Sequence, residues 1–484
     1  MGPPRLLALT GLLLLAAAAL ARNTPRLAPG MFDWAEPGNV AAALAEGRGF
    51  SDPFDGQTGA TAWVSPLPVW IEAGTFLLLG VKTAAAARAL LVLSVLGLAA
   101  ANALLLDALA PFGRWLGPVA GAAFVAYCAL LPGGPLAVLS EAWLDILLSA
   151  LLLWSVLAVG RSPSPWARAA LIAVALLAPL ESAGLAVAAG IAVLGAAWRG
   201  RRDPRALAVP ALAALAAALA VGGWSLRNRA ALGRFIPLKS NSWFELNLAN
   251  VDSADGLPRM ETVLRRLPFF DVQEFNRYAA LGEVRYVDSF RAPALAALRA
   301  DPLHFGANIL RRIGIAVVYC RREGGGESTR FRFLPDDAAR LAAAGLLIPF
   351  GVGSGLWTRI DTPPGEARWR LHQLGLRDEA GVAADWAARR AAYDREFFGP
   401  WPLALGFLTA GLPVAALLAA ALLGHGGLAP PAAWAGAIAF GMLLPYVLVN
   451  NNDRHQLPLL AMQAVALGAL AQAWAARRAA PVPA

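Results

Sequence analysis

Apolar runs of roughly twenty residues recur at short intervals along this chain, and no other feature constrains its fold as much. A helix of that length crosses the ~30 Å hydrocarbon core of a bilayer, where only helices and closed barrels satisfy their own backbone. Such runs fall at Leu6–Ala21, Ala87–Ala110, Leu116–Leu131, Glu141–Gly160, Ala167–Leu180, Ala183–Trp198, Ala206–Trp224, Pro402–Leu423, Ala432–Val449 and Pro458–Trp474. The first run, ending in Ala19-Leu20-Ala21, also fits a signal peptide; the many spans after it favour an uncleaved helix. Val64–Val81 carries Pro66, Pro68 and Glu72 and reads as an interfacial or re-entrant helix. Leu303–Tyr319 and Ala338–Trp357 either both cross or neither does. In the first of these, Arg311 and Arg312 would sit at mid-membrane at a cost of about 2.5–3.5 kcal/mol each. That segment is expected along the surface with its arginines at the headgroups. The fold class is an all-α polytopic membrane protein with ten or twelve spans.

Composition agrees: 58% of the 484 residues are hydrophobic and 15% charged, against about 45–50% and 25% in soluble domains. Disorder and a disulfide scaffold are excluded by the same figures, since Cys128 and Cys320 are the only cysteines and read as small buried hydrophobes. The net charge of +9 is carried by arginine, with Lys82 and Lys239 the only lysines. With the alanine excess, this points to a GC-rich bacterial genome. No basic stretch is interleaved with aromatics, so nucleic acid is set aside as a partner. The charge instead reports orientation. Arg114, Arg161, Arg168, Arg199, Arg201, Arg202, Arg205, Arg477 and Arg478 fall on one side of the span pattern. The opposite short loops hold one base, Arg454. The positive-inside rule makes the first side cytoplasmic, with both termini, in a bacterial inner membrane.

Four regions follow: a transmembrane module over 1–224 with a first outer loop at 22–81, an extracytoplasmic region over 225–302, interfacial or partly membrane helices with a polar loop over 303–400, and terminal spans over 401–484. The outer side collects the scarce acids. Asp33 and Glu36 follow the first helix, Glu141 and Asp145 start a later one on a shared face, Glu181 lies at the next outer turn, and Asn450 to His455 read NNNDRH at the last. Ionisable groups at a membrane boundary are functional candidates. Each has a plainer reading too: Asp33 and Glu36 as solvated loop acids, Glu141 as a helix cap, Glu181 as a turn residue, Arg454 as a lipid-headgroup contact. The four histidines lack metal-ligand spacing, and no nucleophile triad, Walker loop or dinucleotide fingerprint is present.

Four segments carry a resemblance. FDWAEPGNVAAALAEGRGFSDPF (Phe32 to Phe54), with TGATAWVSPLPVW (Thr58 to Trp70) after it, resembles the first outer loop of the GT-C membrane glycosyltransferases, the group of the protein mannosyltransferases and the aminoarabinose transferases of lipid A. GWSLRNRAALGRFIPLKSNSWFELNLAN (Gly223 to Asn250) resembles their P-W-x-x-R-N…G-x-F…N…E-L…G-N signature, and NDRHQLPLL (Asn452 to Leu460) their R-Y-x-x-P element. The resemblance implies a GT-C-like bundle and transfer of a sugar from a polyprenyl-phosphate donor to a glycan, lipid or protein acceptor outside the cytoplasm. It makes Glu36 the base, with Asp33 its neighbour. Arg454, Arg227 and Arg229 would bind the donor phosphate, while Glu141, Asp145, Asn228, Asn250 and His455 would shape the substrate site. A divalent metal, if bound, would draw on Asp33, Glu36 and Asp145. Departures are the absence of the paired D-E, of the lysine near Pro66, and of the tyrosine, replaced by His455. Competing readings are a transporter or flippase of lipid-linked substrate and a non-catalytic assembly subunit. Transporters place polar groups near mid-membrane, whereas here the acids gather at one face.

Overall fold

The computed structural model describes residues 3–23, 35–130, 135–136, 142–161, 164–252, 256, 266–269, 271–318, 331–333, 357–359, 413, 429–449 and 457–479. Sixteen helices are ordered along these residues: α1 Pro3–Asn23, α2 Ala35–Ala45, α3 Pro66–Leu79, α4 Ala84–Leu109, α5 Leu116–Leu130, α6 Ala142–Val159, α7 Pro165–Glu181, α8 Ala183–Gly200, α9 Pro204–Leu232, α10 Ser242–Asn250, α11 Val272–Leu281, α12 Glu283–Asp288, α13 Arg291–Ala300, α14 Pro302–Val318, α15 Ala429–Val449 and α16 Leu460–Ala479. The strands β1 Phe331–Phe333 and β2 Trp357–Arg359 pair antiparallel. Among the described residues, six helical segments are long and apolar enough to cross a membrane: Ala84–Phe112, Ala142–Val159, Ala183–Gly200, Pro204–Leu232, Pro430–Val449 and Leu457–Arg478. The chain is an all-α polytopic membrane protein. The expected runs at Pro402–Leu423 and Ala338–Trp357, and the polar stretch after it, lie almost wholly outside the described residues.

Helix packing follows small residues. A Cβ on Gly184 would lie 2.3 Å from Met442 O and one on Gly441 2.6 Å from Ala188 Cα, so α8 and α15 meet backbone to backbone. Similarly, α7 packs along α9, α5 along α16 and α4 along α6, while α1 lies against α4 and α5. Leu15 and Ala19 of α1 are fully or nearly fully buried in this core, so the first apolar run is a member of the bundle.

The bundle has two unlike ends. At one, Arg161 stacks over Phe112, Arg199 over Trp434 and Arg478 over Trp474. There the Trp115 amide donates to Gln472 Oε1, and Trp154 Nε1 donates to Asp107. The arginines that the sequence assigns to one side therefore meet at one end, beside the tryptophans that favour a membrane–water interface. At the other end, Ser182 Oγ donates to Asp145 at 2.8 Å and Asn23 Nδ2 to Leu136 O at 2.8 Å. This end carries α2, α3 and α10–α13.

Two expectations are corrected. The span expected to end at Trp224 continues to Leu232, because nothing breaks the helix until Gly233 takes the left-handed conformation (φ 71°) that closes it. Arg227, Asn228 and Arg229 thus ride the last turns of α9 instead of opening a loop region. Second, Arg312 of α14 is not at a headgroup: it is fully buried and donates to Gly256 O, Val447 O, Leu448 O and Asn250 Oδ1. Four oxygens around one guanidinium replace the water it would have sought at the surface. Leu303 and Leu310, one face of the same helix, are exposed. Helix α3 has 14 residues, about 21 Å at 1.5 Å per residue, too short to cross.

Candidate active site

The polar end is assembled around one loop. Helix α2 starts at Ala35-Glu36-Pro37, where proline suits the first turn because its missing N–H would have no partner there. Glu36 is half-buried in that turn. The chain leaves α2 into a compact loop over 46–65, in which Asp52, Asp55 and Gln57 hold φ near +60°. Such backbone is costly for residues with a Cβ. It is held by the Asp52 carboxylate, which takes the Gly59 amide at 2.9 Å and the Arg48 guanidinium. The neck of the loop closes through Thr61 N to Phe50 O at 3.2 Å and a bridge between Ser51 and Ala60. Asn39, one turn beyond Glu36, donates to Pro53 O at 3.1 Å and accepts from Lys82 Nζ at 2.7 Å. That ties α2 to its own loop and to the start of α4.

Beneath the loop lies an aromatic core. Phe54 meets Trp63 and Tyr278 edge-on at 5.1 and 4.8 Å, Trp63 meets Phe244 at 5.1 Å, and Tyr286 meets Phe290 at 5.2 Å. These rings come from the loop, α10, α11, α12 and the residue before α13, and their packing joins the 50–63 and 225–302 regions into one body. Backbone adds to it: Ser240 N donates to Ala62 O at 2.9 Å.

Arg227 reaches the same point from α9. Its Nη1 donates to Thr61 O at 2.5 Å and to Asn228 Oδ1 at 3.0 Å, and its Nη2 to Phe50 O at 2.6 Å, with the guanidinium beside both the Phe50 and Trp224 rings, which also meet each other. Arg227, expected as a phosphate ligand, here holds the loop neck through its bonds to Thr61 O and Phe50 O. Asn228 is buried and fixes the turn after α9 through Ile236 O at 2.8 Å. Arg229, on the next position, is exposed and makes no ion pair among the described residues. Asn250 ends α10 and accepts from Arg312, which meets the last carbonyls of α15. Asp145 is bound by Ser182 on the α6–α7 side of this end. Asp33, Glu141, Arg454 and His455 lie outside the described residues.

Sequence reasoning missed Glu283. It is 3% exposed at the start of α12. It accepts from Thr61 Oγ1, from the Ala62 amide at 2.7 Å and from Tyr278 Oη at 2.8 Å. Burial pushes its pKa up, while the hydrogen bonds from Thr61, Ala62 and Tyr278 pull it back down. Nothing in one sequence pairs it with a threonine 222 positions earlier; the acid on a glycine-led helix start was the one local sign. Among the described residues no group of three His, Cys, Asp or Glu could hold a metal, and Asp33 of the expected set lies outside them.

Fold and site together define a polytopic α-helical membrane protein with a polar loop assembly built on one end of its bundle. No family model and no curated protein matches the chain. Among solved structures it is similar to ArnT from Cupriavidus metallidurans bound to undecaprenyl phosphate, with 16% identity over 98% of this chain and 78% of that one and a TM-score of 0.35. Against the apo state of ArnT the identity is again 16%, over 91% and 72%, with a TM-score of 0.31.

Proposed function

We propose that the chain is a GT-C-type glycosyltransferase of a bacterial inner membrane, moving a sugar from a polyprenyl-phosphate donor to an acceptor at the polar, extracytoplasmic end. The observation that carries the reading is a meeting of segments. Two stretches that resemble the family, Phe32 to Trp70 and Gly223 to Asn250, lie far apart in sequence. Yet they join through Arg227 to Phe50 and Thr61, Ser240 to Ala62, and Trp63 to Phe244. Glu36 stands on the helix that leads into this junction.

In this reading the Glu36 carboxylate takes the proton of the acceptor hydroxyl as its oxygen bonds to the anomeric carbon and the carbon–oxygen bond to the lipid phosphate breaks. The phosphate leaves as an anion and needs cations placed for it. Arg229 and Arg454 are the bases left for that work, with Asp33 beside Glu36 and Glu141, Asp145, Asn228, Asn250 and His455 shaping the surroundings.

The test is transfer in reconstituted membranes from radiolabelled polyprenyl-phosphate sugars. Glu36→Gln should lower the rate by about 10²-fold or more, the usual scale for a general base, and Arg454→Ala should lower it with a rise in donor KM. No transfer by the wild type from any donor tried would overturn the reading.

A further inference from the structure

We infer that Arg227 and Glu283 form a single charged clamp on the Thr61–Ala62 peptide group, and that this clamp is the positioning device for the helix bearing Glu36. The peptide's carbonyl is Thr61 O, bound by the Arg227 guanidinium. Its amide is Ala62 N–H, bound by the Glu283 carboxylate. In a trans peptide these two groups point in opposite directions. The cation therefore sits at the negative end of the peptide dipole and the anion at its positive end, a cation–dipole–anion sandwich in a buried setting. Such a row is electrostatically favourable in the order found, and each member polarises the next.

The protonation pattern supports an ionised Glu283. The Ala62 amide can only donate. Thr61 Oγ1 already accepts from the Trp63 amide at 2.9 Å, which leaves its proton for Glu283. With the Tyr278 hydroxyl, three donors converge on two carboxylate oxygens. Glu283 is also the carboxylate whose charge acts on Arg227 across the peptide. Each ion is thus the other's counter-charge, although they share no direct salt bridge.

The clamp reaches Glu36 in two steps. Arg227 holds both strands of the loop neck, at Phe50 and Thr61, so the neck cannot splay without releasing it. The loop in turn holds α2 through Pro53 O and Asn39, one turn from Glu36. An 11-residue helix is marginal by itself, so α2 takes its position from what it docks on.

The catalytic half of this inference rests on the proposed transferase; the clamp itself does not. Arg227→Met, Glu283→Gln and the double variant are compared, with Arg227→Lys and Glu283→Asp as milder forms should either first choice fold poorly. Hydrogen exchange of the Asp52 and Thr61 amides, which donate to Gly59 O and Phe50 O across the neck, is followed in each, together with kcat and KM for transfer. Each single variant should raise neck exchange about tenfold, and the double should be no worse than the poorer single, the non-additivity of a coupled pair. Transfer should show kcat reduced about tenfold with donor KM within about twofold, because neither residue touches substrate. Independent effects that multiply to about a hundredfold in the double, or unchanged neck exchange in all variants, would overturn the clamp. A KM-dominated loss would overturn the positioning role and return Arg227 to the donor phosphate. Wild-type protein that transfers nothing but shows the exchange pattern would sink the transferase and leave the clamp standing.

Discussion

Arginines at the two ends of the bundle do different work. At the basic end Arg199, Arg201 and Arg478 are exposed and lie over tryptophan faces at 4.8, 4.1 and 3.9 Å. At the polar end Arg227 and Arg312 turn inward and are fed by oxygens: Phe50 and Thr61 for one, Gly256, Val447, Leu448 and Asn250 for the other. The planar five-donor fork of arginine suits both settings, since it stacks on rings and also binds several acceptors at once. An exposed arginine over tryptophan reports where the membrane ends. A buried one among carbonyls reports where separate segments are tied together.

Arg312→Ala should be the most damaging test of that contrast. It orphans three backbone carbonyls and an amide oxygen in a buried site, at about 1–3 kcal/mol for each acceptor that finds no water. It also removes a cation from the C-terminal carbonyls of α15, where positive charge is favoured by about 0.3–1 kcal/mol. A fall in the melting temperature larger than for any single basic-end arginine is expected. Arg312→Lys, which keeps the charge but not the fork, should fall between. Equal loss at both ends would erase the distinction.

Glu283 gives the next largest effect and a pH signature. Its folded-state pKa lies above the ordinary 4.5 because burial opposes the charge. An acid shifted upward contributes most to stability below its unfolded value, and that contribution is lost as pH rises through the folded value. The stability of wild type relative to Glu283→Gln should therefore decline with rising pH across this window, as followed by urea or thermal unfolding in detergent. A flat difference would mean that the hydrogen bonds from Thr61, Ala62 and Tyr278 offset the effect of burial in full. Glu283→Ala should cost more than Glu283→Gln at every pH, since it leaves Thr61, Ala62 and Tyr278 without an acceptor.

What the sequence made legible follows from range. Helices α4, α6 and α8 begin and end within a few residues of the apolar runs, because length and hydropathy are local properties. The gathering of the basic loops at one end was legible as well, being a matter of parity along the chain. The helix that carries Glu36 was legible only as part of the first outer loop, and its docking on Pro53 was not. Arg227 was found through a local motif, but its tie to the loop was not legible, because its partners Phe50 and Thr61 lie 177 and 166 positions away. Arg312 was misplaced for the same reason, because its cost in the membrane was judged without the carbonyls of α15. Glu283 has only its place after Gly282 at a helix start, a sign too weak to single it out.

The mildest tests lie at the basic end. Arg199→Ala removes one guanidinium from the Trp434 face, worth about 0.5–1 kcal/mol at an exposed site. Arg202→Ser, at an exposed turn between α8 and α9, should change stability by less than about 0.5 kcal/mol. Neither should alter hydrogen exchange at Asp52 or Thr61, since no described contact links that end to the loop neck. Their information lies in topology instead. With both native cysteines replaced, a cysteine at position 202 should be shielded from an impermeant thiol reagent in intact cells, while one at Ser253 should react. If several basic-end arginines are replaced together, labelling at 202 should begin to appear in intact cells as part of the population inverts, because these charges set orientation and not packing. Labelling that never changes, joined to a large loss of stability, would place the basic-end arginines in the same structural class as Arg227 and Arg312.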